Sequence, residues 1–326
     1  MGGEFSKKQI RKAGDNLAAG FLSGDERLEA LRIVGYWRAA HMEPLRKTLS
    51  MLEGVCGQDN STILVSRLKR IDSIIEKLSR PGHAFNLDTL GDIAGCRLIV
   101  RTNDDASRIA NTLRGMGYHR VKDYMAAPKE SGYRGIHVMC RNDADSYGYK
   151  NLDVEVQVRT LKQHGWATAV EIYDLITGAS LKSGGGTQEQ KRFFQLASEL
   201  MNDDSANTAT AIAELKALDD KLGVLSTLRE ATDSMYFVHD GDIEISRSDS
   251  CLVAVDLGVQ QISIEIFSSD NESEAADRYT ELESTEEEGF VYLLARAGSL
   301  DDLRHAYPNY YSDISAFVDW LEDCIG

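Results

Sequence analysis

The chain has 326 residues, of which 42% are apolar and only four are proline, a composition typical of a folded protein with room for two domains. Its formal net charge of −16 is unevenly distributed: residues 1–200 carry 29 Lys and Arg against 24 Asp and Glu, whereas residues 201–326 carry 7 against 28. A mildly basic body is therefore joined to a strongly acidic one. The polar N-terminus and the lack of a long apolar run predict neither a signal peptide nor a membrane span. Five scattered cysteines without a C-x-x-C pair argue against a disulfide framework or a zinc site, and we expect a cytoplasmic protein with no membrane partner.

The first 100 residues combine helical patterns with one buried strand. Apolar residues recur at helical spacing between Lys7 and Glu53, which predicts two helices. A basic stretch, Ser66–Arg70, then leads into a predicted helix at Ile71–Ser79. Beyond Asp92 the pattern changes to short apolar runs and predicts a compact α/β unit. Its predicted strands are Ile93–Val100, Tyr118–Tyr124, Tyr133–Arg141 and Leu152–Val158, and its predicted helices are Asp105–Met116, with Asp104 as N-cap, and Leu161–Thr177.

The rest of the chain begins with a glycine-rich connector at Gly178–Gly186. Helical patterns follow at Gln188–Met201 and Thr208–Arg229, and the segment after them alternates strands with helices. We predict four parts: N-terminal helices at 1–60, a core at 61–180, a helical connector at 181–233, and a smaller acidic α+β domain at 234–326.

Two carboxylates lie on predicted neighbouring strands, Asp92 at the start of one and Glu155 inside another. Either one alone is explained as a solvent-facing side chain. Together, among cations, they could hold Mg²⁺ against a nucleotide triphosphate, because Mg²⁺ takes one or two carboxylates plus phosphate oxygens and water. Phosphoryl transfer requires such a metal, cationic clamps and an aligned nucleophile rather than covalent help. The candidate cations are Arg67, Lys69, Lys77, Arg97, Lys122, Lys129, His137 and Arg159.

Four motifs in this region resemble those of RelA/SpoT synthetase domains. The most distinctive is VKDYMAAPKESGYRGIH at residues 121–137, and VEVQVRT at 154–160 looks like its companion strand. DIAGCR at 92–97 resembles the family's metal-binding strand, and the stretch from Arg67 through Lys77 resembles its ATP-binding basic loop. All four occur in the family's order.

The resemblance implies a nucleotidyltransferase-like mixed sheet flanked by helices. It also implies transfer of the β,γ-pyrophosphate of ATP to a ribose 3′-hydroxyl, most commonly that of GDP or GTP, to make the stringent-response alarmone (p)ppGpp. Asp92 and Glu155 would bind Mg²⁺, and Glu155 would also be the base for the 3′-hydroxyl. Arg67 and Arg97 would hold the adenine between them. The implied phosphate ligands are Lys69, Ser73, Lys77, Lys122 and Arg159, with His137 near the phosphates of donor or acceptor.

On the acceptor side, the resemblance implies that Tyr133 stacks on the base, that Lys129 approaches the base or its phosphates, and that Gln157 lines the same site. Two positions depart from the family pattern. Ser131 stands where guanosine-specific members carry Asn, and Arg134 begins the dipeptide where many carry Gln-Ser. A hydroxyl offers fewer directional hydrogen bonds than an amide. The acceptor therefore stays open between GDP or GTP and, for a toxin-type relative, an adenine nucleotide or the 3′ end of tRNA.

The acidic C-terminal segment allows several interpretations. It could simply supply a soluble surface, or it could restrain the catalytic region by competing for its basic rim. Fused toxin–neutraliser arrangements of the second kind exist among relatives that defend bacteria against phage. The segment could equally bind a regulatory partner or a second copy of the chain.

A third class of function for the whole chain is that of a non-catalytic nucleotide-binding regulator. Asp92, Glu155 and the cations argue against it.

Overall fold

The computed structural model describes residues 3–57, 61–80, 82, 85–143, 145–202, 208–234, 245–259, 261–285, 287, 289–307 and 314–326. Within these ranges, no helix combines the length and the apolar character needed to cross a membrane.

Three helices, rather than the predicted two, form the N-terminal layer: α1 (Lys7–Ala19), α2 (Gly24–Ala39) and α3 (Met42–Cys56). A capping box at Ser6 begins α1, and Gly20 ends it in the left-handed conformation at φ 70°. The sequence pattern missed α1 because its buried face consists mostly of small residues, with Ile10 and Leu17 its only large apolar side chains.

A single eight-stranded mixed sheet forms the centre of the molecule, which confirms the predicted sheet flanked by helices. The strands run in the order β3-β4-β5-β2-β1-β8-β6-β7, and all neighbours are antiparallel except β2 and β5. The strands are β1 (Ile63–Leu68), β2 (Ala94–Val100), β3 (Val121–Asp123), β4 (Ile136–Asn142), β5 (Leu152–Thr160), β6 (Ser250–Asp256), β7 (Gln261–Phe267) and β8 (Phe290–Arg296).

Helices cover both faces of this sheet. Helices α3, α5 and α10 pack on one face, and α6 and α11 pack on the other. Helices α7, α8, α9 and α12 form a second apolar layer with α6. The remaining helices are α4 (Ile71–Leu78), α5 (Asn103–Gly115), α6 (Leu161–Thr177), α7 (Gln188–Met201), α8 (Thr208–Leu222), α9 (Val224–Ser234), α10 (Glu272–Ser284), α11 (Leu300–Ala306) and α12 (Ser315–Ile325).

Several predicted boundaries were wrong for identifiable reasons. The first half of the basic stretch before Ile71 is the end of β1, in which half-buried Arg67 lies between buried Ser66 and Leu68, and Lys69 and Arg70 connect the strand to α4. Thr102, not Asp104, caps α5, since the Thr102 hydroxyl accepts from the backbone N–H of Asp105. The helix predicted at Thr208–Arg229 is divided at Gly223, which adopts φ 64°.

The acidic C-terminal strands extend the sheet of the basic region. Strand β8 pairs with β1 through Ser66 opposite Arg296 and Arg67 opposite Ala295. Leu294 and Tyr279 share one apolar core with Leu68. Strand β1 therefore has a neighbour from the N-terminal half on one side and a neighbour from the C-terminal half on the other.

Candidate functional site

Strand alternation brings the candidate residues to one face of the sheet. In β1, β2 and β5 the apolar side chains that share a core with α3 and α5 alternate with residues that point to the opposite face. Register then aligns the strands: Arg67 pairs with Gly95, Gly95 with Glu155, and Arg97 with Gln157. Gly95 keeps this row open, since a Cβ at that position would lie 3.3 Å from the Glu155 carbonyl oxygen. The result is a cavity of about 50 Å³ lined by Arg67, Lys69, Asp92, Gly95, Cys96, Arg97, Glu155, Gln157 and Tyr307.

Asp92 lies at the entrance to β2, between two lysines. Its Oδ2 accepts from Lys69 Nζ at 3.1 Å and from Lys77 Nζ at 2.7 Å. Burial alone would raise the pKa of Asp92, but the two ammonium groups outweigh burial and the net pKa is lowered. Asp92 is therefore a carboxylate at neutral pH. Its Oδ1 is buried without a hydrogen-bond partner among the described residues, so one ligand position of this carboxylate is available.

A chain of hydrogen bonds connects four side chains across β4 and β5. Arg159 Nε donates to the Tyr133 hydroxyl at 3.1 Å, and that hydroxyl lies 2.5 Å from His137 Nε2. The other ring nitrogen, Nδ1, lies 2.9 Å from Glu155 Oε1. A neutral His137 with its proton on Nδ1 satisfies every contact, because Tyr133 then donates to Nε2 and Nδ1 donates to the carboxylate.

Glu155 is enclosed by this chain and by Gln157. Gln157 donates its amide N–H to Glu155 Oε2 at 2.7 Å and accepts from Arg159 Nη2 at 3.0 Å. Burial alone would raise the pKa of Glu155, yet the hydrogen bonds from His137 and Gln157 lower it well below the ordinary range. Glu155 and Asp92 are thus two carboxylates facing one cavity, which fits the ligand set that Mg²⁺ prefers. The described residues contain no cluster of three or more metal-binding side chains.

The loop between β3 and β4 places Lys129 over two aromatic rings. Its Nζ lies 4.6 Å from the centre of the Tyr124 ring and 4.8 Å from that of Tyr133, and burial lowers the pKa of this lysine. Helix α7 fixes the loop from outside, since Ser198 Oγ donates to the Gly132 carbonyl at 2.6 Å. Ser131 is exposed at the tip of this loop and Arg134 is half-buried at its end.

Two predicted phosphate ligands do not line the cavity of about 50 Å³. Lys122 is exposed on β3, directly across from His137 in the strand register. Ser73, on α4, lines a second cavity of about 340 Å³ together with Arg70 and Glu171. The cavity between the carboxylates accordingly includes Lys69 but neither of these two residues.

Tyr307 lies close to both of the arginines expected to hold adenine. The centre of its ring lies 5.3 Å from the Arg97 guanidinium carbon and 5.7 Å from that of Arg67, and the residue is only 1% exposed. Arg97 Nη1 also donates to the carbonyl of Ala306, and His164 Nε2 lies 2.9 Å from the carbonyl of His305. Burial, together with the nearby Arg159 and Arg67 charges, lowers the pKa of Arg97 to about 10.

Part of the chain is similar to known proteins. Residues 66–173 match the family model described as a region found in RelA / SpoT proteins. We call these residues the RelA/SpoT region. The GTP pyrophosphokinase YjbM of Bacillus subtilis (strain 168) is 35% identical over 117 residues, which are 34% of this chain and 56% of the relative. The GTP pyrophosphokinase YwaC of the same organism is 31% identical over 111 residues, 32% of this chain and 53% of the relative.

A crystal structure of the small alarmone synthetase 1 from Bacillus subtilis, bound to its product pppGpp, is 27% identical with a TM-score of 0.40. The comparison covers 56% of this chain and 94% of that chain. The chain spans about half the length of the curated relatives that it matches.

The RelA/SpoT region accounts for the residues that the sequence motifs pointed to, but two contributors were missed. Tyr124 completes the ring cluster around His137, with centroids 5.3 Å apart; it lies within the quoted motif and could have been found there. Tyr307 lies outside the RelA/SpoT region and reaches the cavity only through the pairing of β8 with β1. No local sequence pattern predicts that contact.

Proposed function

We propose that this chain transfers the β,γ-pyrophosphate of ATP to the ribose 3′-hydroxyl of GDP or GTP, giving AMP and (p)ppGpp. The observation that carries the proposal is the convergence of Asp92, bound to Lys69 and Lys77, with the Arg159–Tyr133–His137–Glu155 chain on one face of the sheet. Relatives that match the same region are named GTP pyrophosphokinases.

The cations supply the donor side of the reaction. Lys69 and Lys77 both contact Asp92 Oδ2, so an incoming triphosphate meets two ammonium groups already held in place. The planar guanidinium groups of Arg67 and Arg97 can each stack on a nucleobase. Mg²⁺ bound by Asp92 and Glu155 would neutralise phosphate charge as it develops.

Glu155 is placed to receive the proton of the acceptor. Its lowered pKa keeps it ionised at neutral pH, and His137 fixes the orientation of the carboxylate through Oε1. As the ribose O3′ attacks the β-phosphorus, its proton passes to Glu155. The bond between the β-phosphorus and the oxygen shared with the α-phosphorus breaks, and AMP leaves with that oxygen.

The acceptor would lie against Tyr133 and Lys129, which together offer an aromatic face and a cation. Ser131 is exposed two residues before Tyr133, and Tyr133 is fixed by its hydrogen bonds to His137 and Arg159. This arrangement supports a nucleotide acceptor; the names of the relatives favour guanine.

The test is a transfer assay with ATP labelled on the γ-phosphate, offering GDP, GTP, AMP, ADP, ATP and bulk tRNA in separate reactions. We expect label on GDP or GTP, and loss of transfer in Asp92→Ala. Label on tRNA or on an adenine nucleotide instead would reassign the acceptor. Absence of transfer to every acceptor, in both the wild type and Tyr307→Ala, would overturn the enzymatic proposal.

A second proposal concerns restraint of this activity by the C-terminal segment, as in a toxin fused to its neutraliser. Tyr307 supports it, because its ring lies close to Arg67 and Arg97 and lines the same cavity of only about 50 Å³. We propose that a nucleobase stacks on these arginines only after the ring has moved away. The contact is aromatic and buried rather than a charge competition at the basic rim.

Comparison of Tyr307→Ala with Tyr307→Phe tests the restraint. The phenylalanine keeps the ring and the alanine removes it, so we expect Tyr307→Ala alone to bind α,β-methylene ATP more tightly and to inhibit growth more strongly on expression. Asp301→Ala, an exposed change on the same helix α11, controls for general disturbance. Equal nucleotide affinity in the wild type and Tyr307→Ala would contradict the restraint while leaving the transfer proposal standing.

A further inference from the structure

Helix α4 begins without a capping side chain of its own. The residue at its N-cap position is Arg70, which provides no side-chain cap hydrogen bond and cannot accept one, because a guanidinium has only donors. The first backbone N–H groups of a helix have no partner within it. For α4 this matters functionally, since the helix carries both Ser73 and Lys77.

The missing acceptor comes from the far end of the chain. Glu283, near the end of α10, accepts from the backbone N–H of Ile71 through Oε1 at 3.2 Å. Ile71 is the first residue of α4, and 212 positions separate the two residues. A carboxylate at this place satisfies one unpaired donor and also lies at the positive end of the helix dipole.

A buried cation holds Glu283 in position. Its other oxygen, Oε2, lies 2.7 Å from Arg38 Nη1, and the two side chains are 8% and 1% exposed. The Arg38 guanidinium in turn lies over the ring of Tyr279, 4.2 Å from its centre. Thr280 packs so closely on Gly35 of α2 that a Cβ there would come within 2.4 Å of it. Helix α10 is therefore fixed to α2 on one side of Glu283 and delivers its carboxylate to α4 on the other.

We propose that Glu283 is a positioning residue for ATP: by capping α4 from the C-terminal half, it holds Lys77 and Ser73 in place for the donor phosphates. This inference rests on the proposed function, because it assigns α4 to the binding of ATP. It gives the acidic segment a supporting role in the site, distinct from the restraint proposed for Tyr307.

Simple removal of Glu283 would leave Arg38 buried without its counter-ion, which by itself is strongly destabilising. Two double variants avoid this problem. Arg38→Met with Glu283→Gln removes the ion pair but keeps an oxygen for the Ile71 N–H. Arg38→Met with Glu283→Met removes the ion pair and the oxygen at nearly equal side-chain volume. The pair differs only in the cap.

The measurement is the dissociation constant for α,β-methylene ATP with Mg²⁺ and without any acceptor. It is made on the full-length protein with Tyr307 in place, and repeated on the full-length protein that carries Tyr307→Ala. We expect the Met–Met variant to bind the nucleotide about three- to tenfold more weakly than the Met–Gln variant. The dissociation constant of the Met–Gln variant should stay within about twofold of that of its parent, the protein without the double change. In transfer assays the same difference should appear in KM for ATP with kcat little changed.

Equal affinity of the two double variants overturns the proposal, and so does a Met–Gln variant that binds more than about twofold more weakly than its parent. If the Met–Met variant does not fold, the Met–Gln variant decides against its parent by the same twofold criterion. Because binding is measured without an acceptor, failure of transfer to guanine nucleotides would not alter either outcome, and failure of the cap would not alter the acceptor assay.

Discussion

The Tyr133 hydroxyl and His137 Nε2 lie 2.5 Å apart, and this contact orients the histidine that faces Glu155. With Nε2 accepting, the ring proton lies on Nδ1 and points at the carboxylate. Arg159 fixes the tyrosine by donating to the same hydroxyl and by lying 4.9 Å from the centre of its ring.

Tyr133→Phe should therefore lower kcat more than it raises KM for ATP. The ring stays for stacking, but His137 loses the donor that fixes its orientation. We expect a fall in kcat of about ten- to a hundredfold, within the range of lost general acid–base assistance. Tyr124→Phe, whose ring also contacts His137, is the matched control and should retain most activity. A similar loss in both variants would mean that the ring cluster, not the Tyr133 hydroxyl, matters.

Asp92→Asn should uncouple nucleotide binding from Mg²⁺. The variant loses one of two carboxylates in the cavity, and Lys69 and Lys77 lose their counter-charge. We expect binding of α,β-methylene ATP without metal to be as tight as in the wild type or tighter, the gain on adding Mg²⁺ to shrink, and transfer to fall at least a hundredfold.

Titration calorimetry with and without Mg²⁺ measures the effect of Asp92→Asn. The comparison variant is Asp153→Asn on β5, where the carboxylate pairs with Arg141 at 3.0 Å and with Arg120. It should keep the response to metal. An unchanged response in Asp92→Asn would remove this residue from the metal site.

Gly132→Ala should damage the loop that carries Ser131 and Tyr133. Gly132 adopts φ 89°, and a Cβ there would meet Ser198 Cβ at 3.1 Å and Gln195 Cα at 3.2 Å on α7. We expect a loss of about 1–3 kcal/mol in the free energy of unfolding. We also expect the KM for the acceptor to rise more, relative to the wild type, than the KM for ATP.

Gly115→Ala provides the contrast to Gly132→Ala, because Gly115 lies in α5 with nothing within 4 Å of the added Cβ. Helix propensity predicts a neutral or slightly stabilising effect there. Chemical denaturation of the two variants, run beside acceptor kinetics, distinguishes strain in the loop from a general intolerance of alanine.

His41 should make stability depend on pH between about 6.5 and 4. Burial lowers its pKa to about 4, and its Nδ1 lies 2.8 Å from the Trp37 carbonyl, to which the neutral ring donates. The unfolded chain takes up the proton near pH 6.5 and the folded chain does not. The contribution of neutral His41 to the free energy of unfolding is therefore fully present above pH 6.5. It declines as the pH falls toward 4, by up to about 3 kcal/mol.

Denaturation curves of the wild type and His41→Gln across this pH range test the prediction. The difference in unfolding free energy between the two proteins should shrink as the pH falls, since glutamine does not titrate. Parallel curves would show that His41 does not contribute to the dependence of the unfolding free energy on pH. Buried His164, whose pKa burial also lowers, would then have to explain it.

The sequence predicted the RelA/SpoT region well because its information is local. Period-2 alternation in β5 placed Glu155, Gln157 and Arg159 on one face, and the helix α6 was predicted with its observed ends. The carboxylates and most cations of the cavity followed from motifs of a few residues each. Strand β1 was missed because its alternation is short and its charged residues suggested a loop.

Contacts between distant parts of the chain were beyond such reasoning. Neither Tyr307 nor Glu283 belongs to a motif, and each reaches the site only because β8 pairs with β1 and α10 packs on α2. Pairing of strands more than 200 positions apart is decided by the complementarity of whole surfaces, to which local propensity contributes little. The acidic composition of residues 201–326 gave no sign that this half would share a core with the basic half.

The insertion of β8 beside β1 has a consequence for the life of the chain in the cell. A ribosome that stops before β6, or a protease that cuts there, removes Tyr307 but also bares the edge of β1 and the apolar side chains that Leu294 and Tyr279 cover. Such a fragment should aggregate or be degraded rather than persist as a folded protein. Under the proposed restraint, breakage of the chain would therefore abolish transfer, and activation would require an intact chain in which Tyr307 leaves the two arginines.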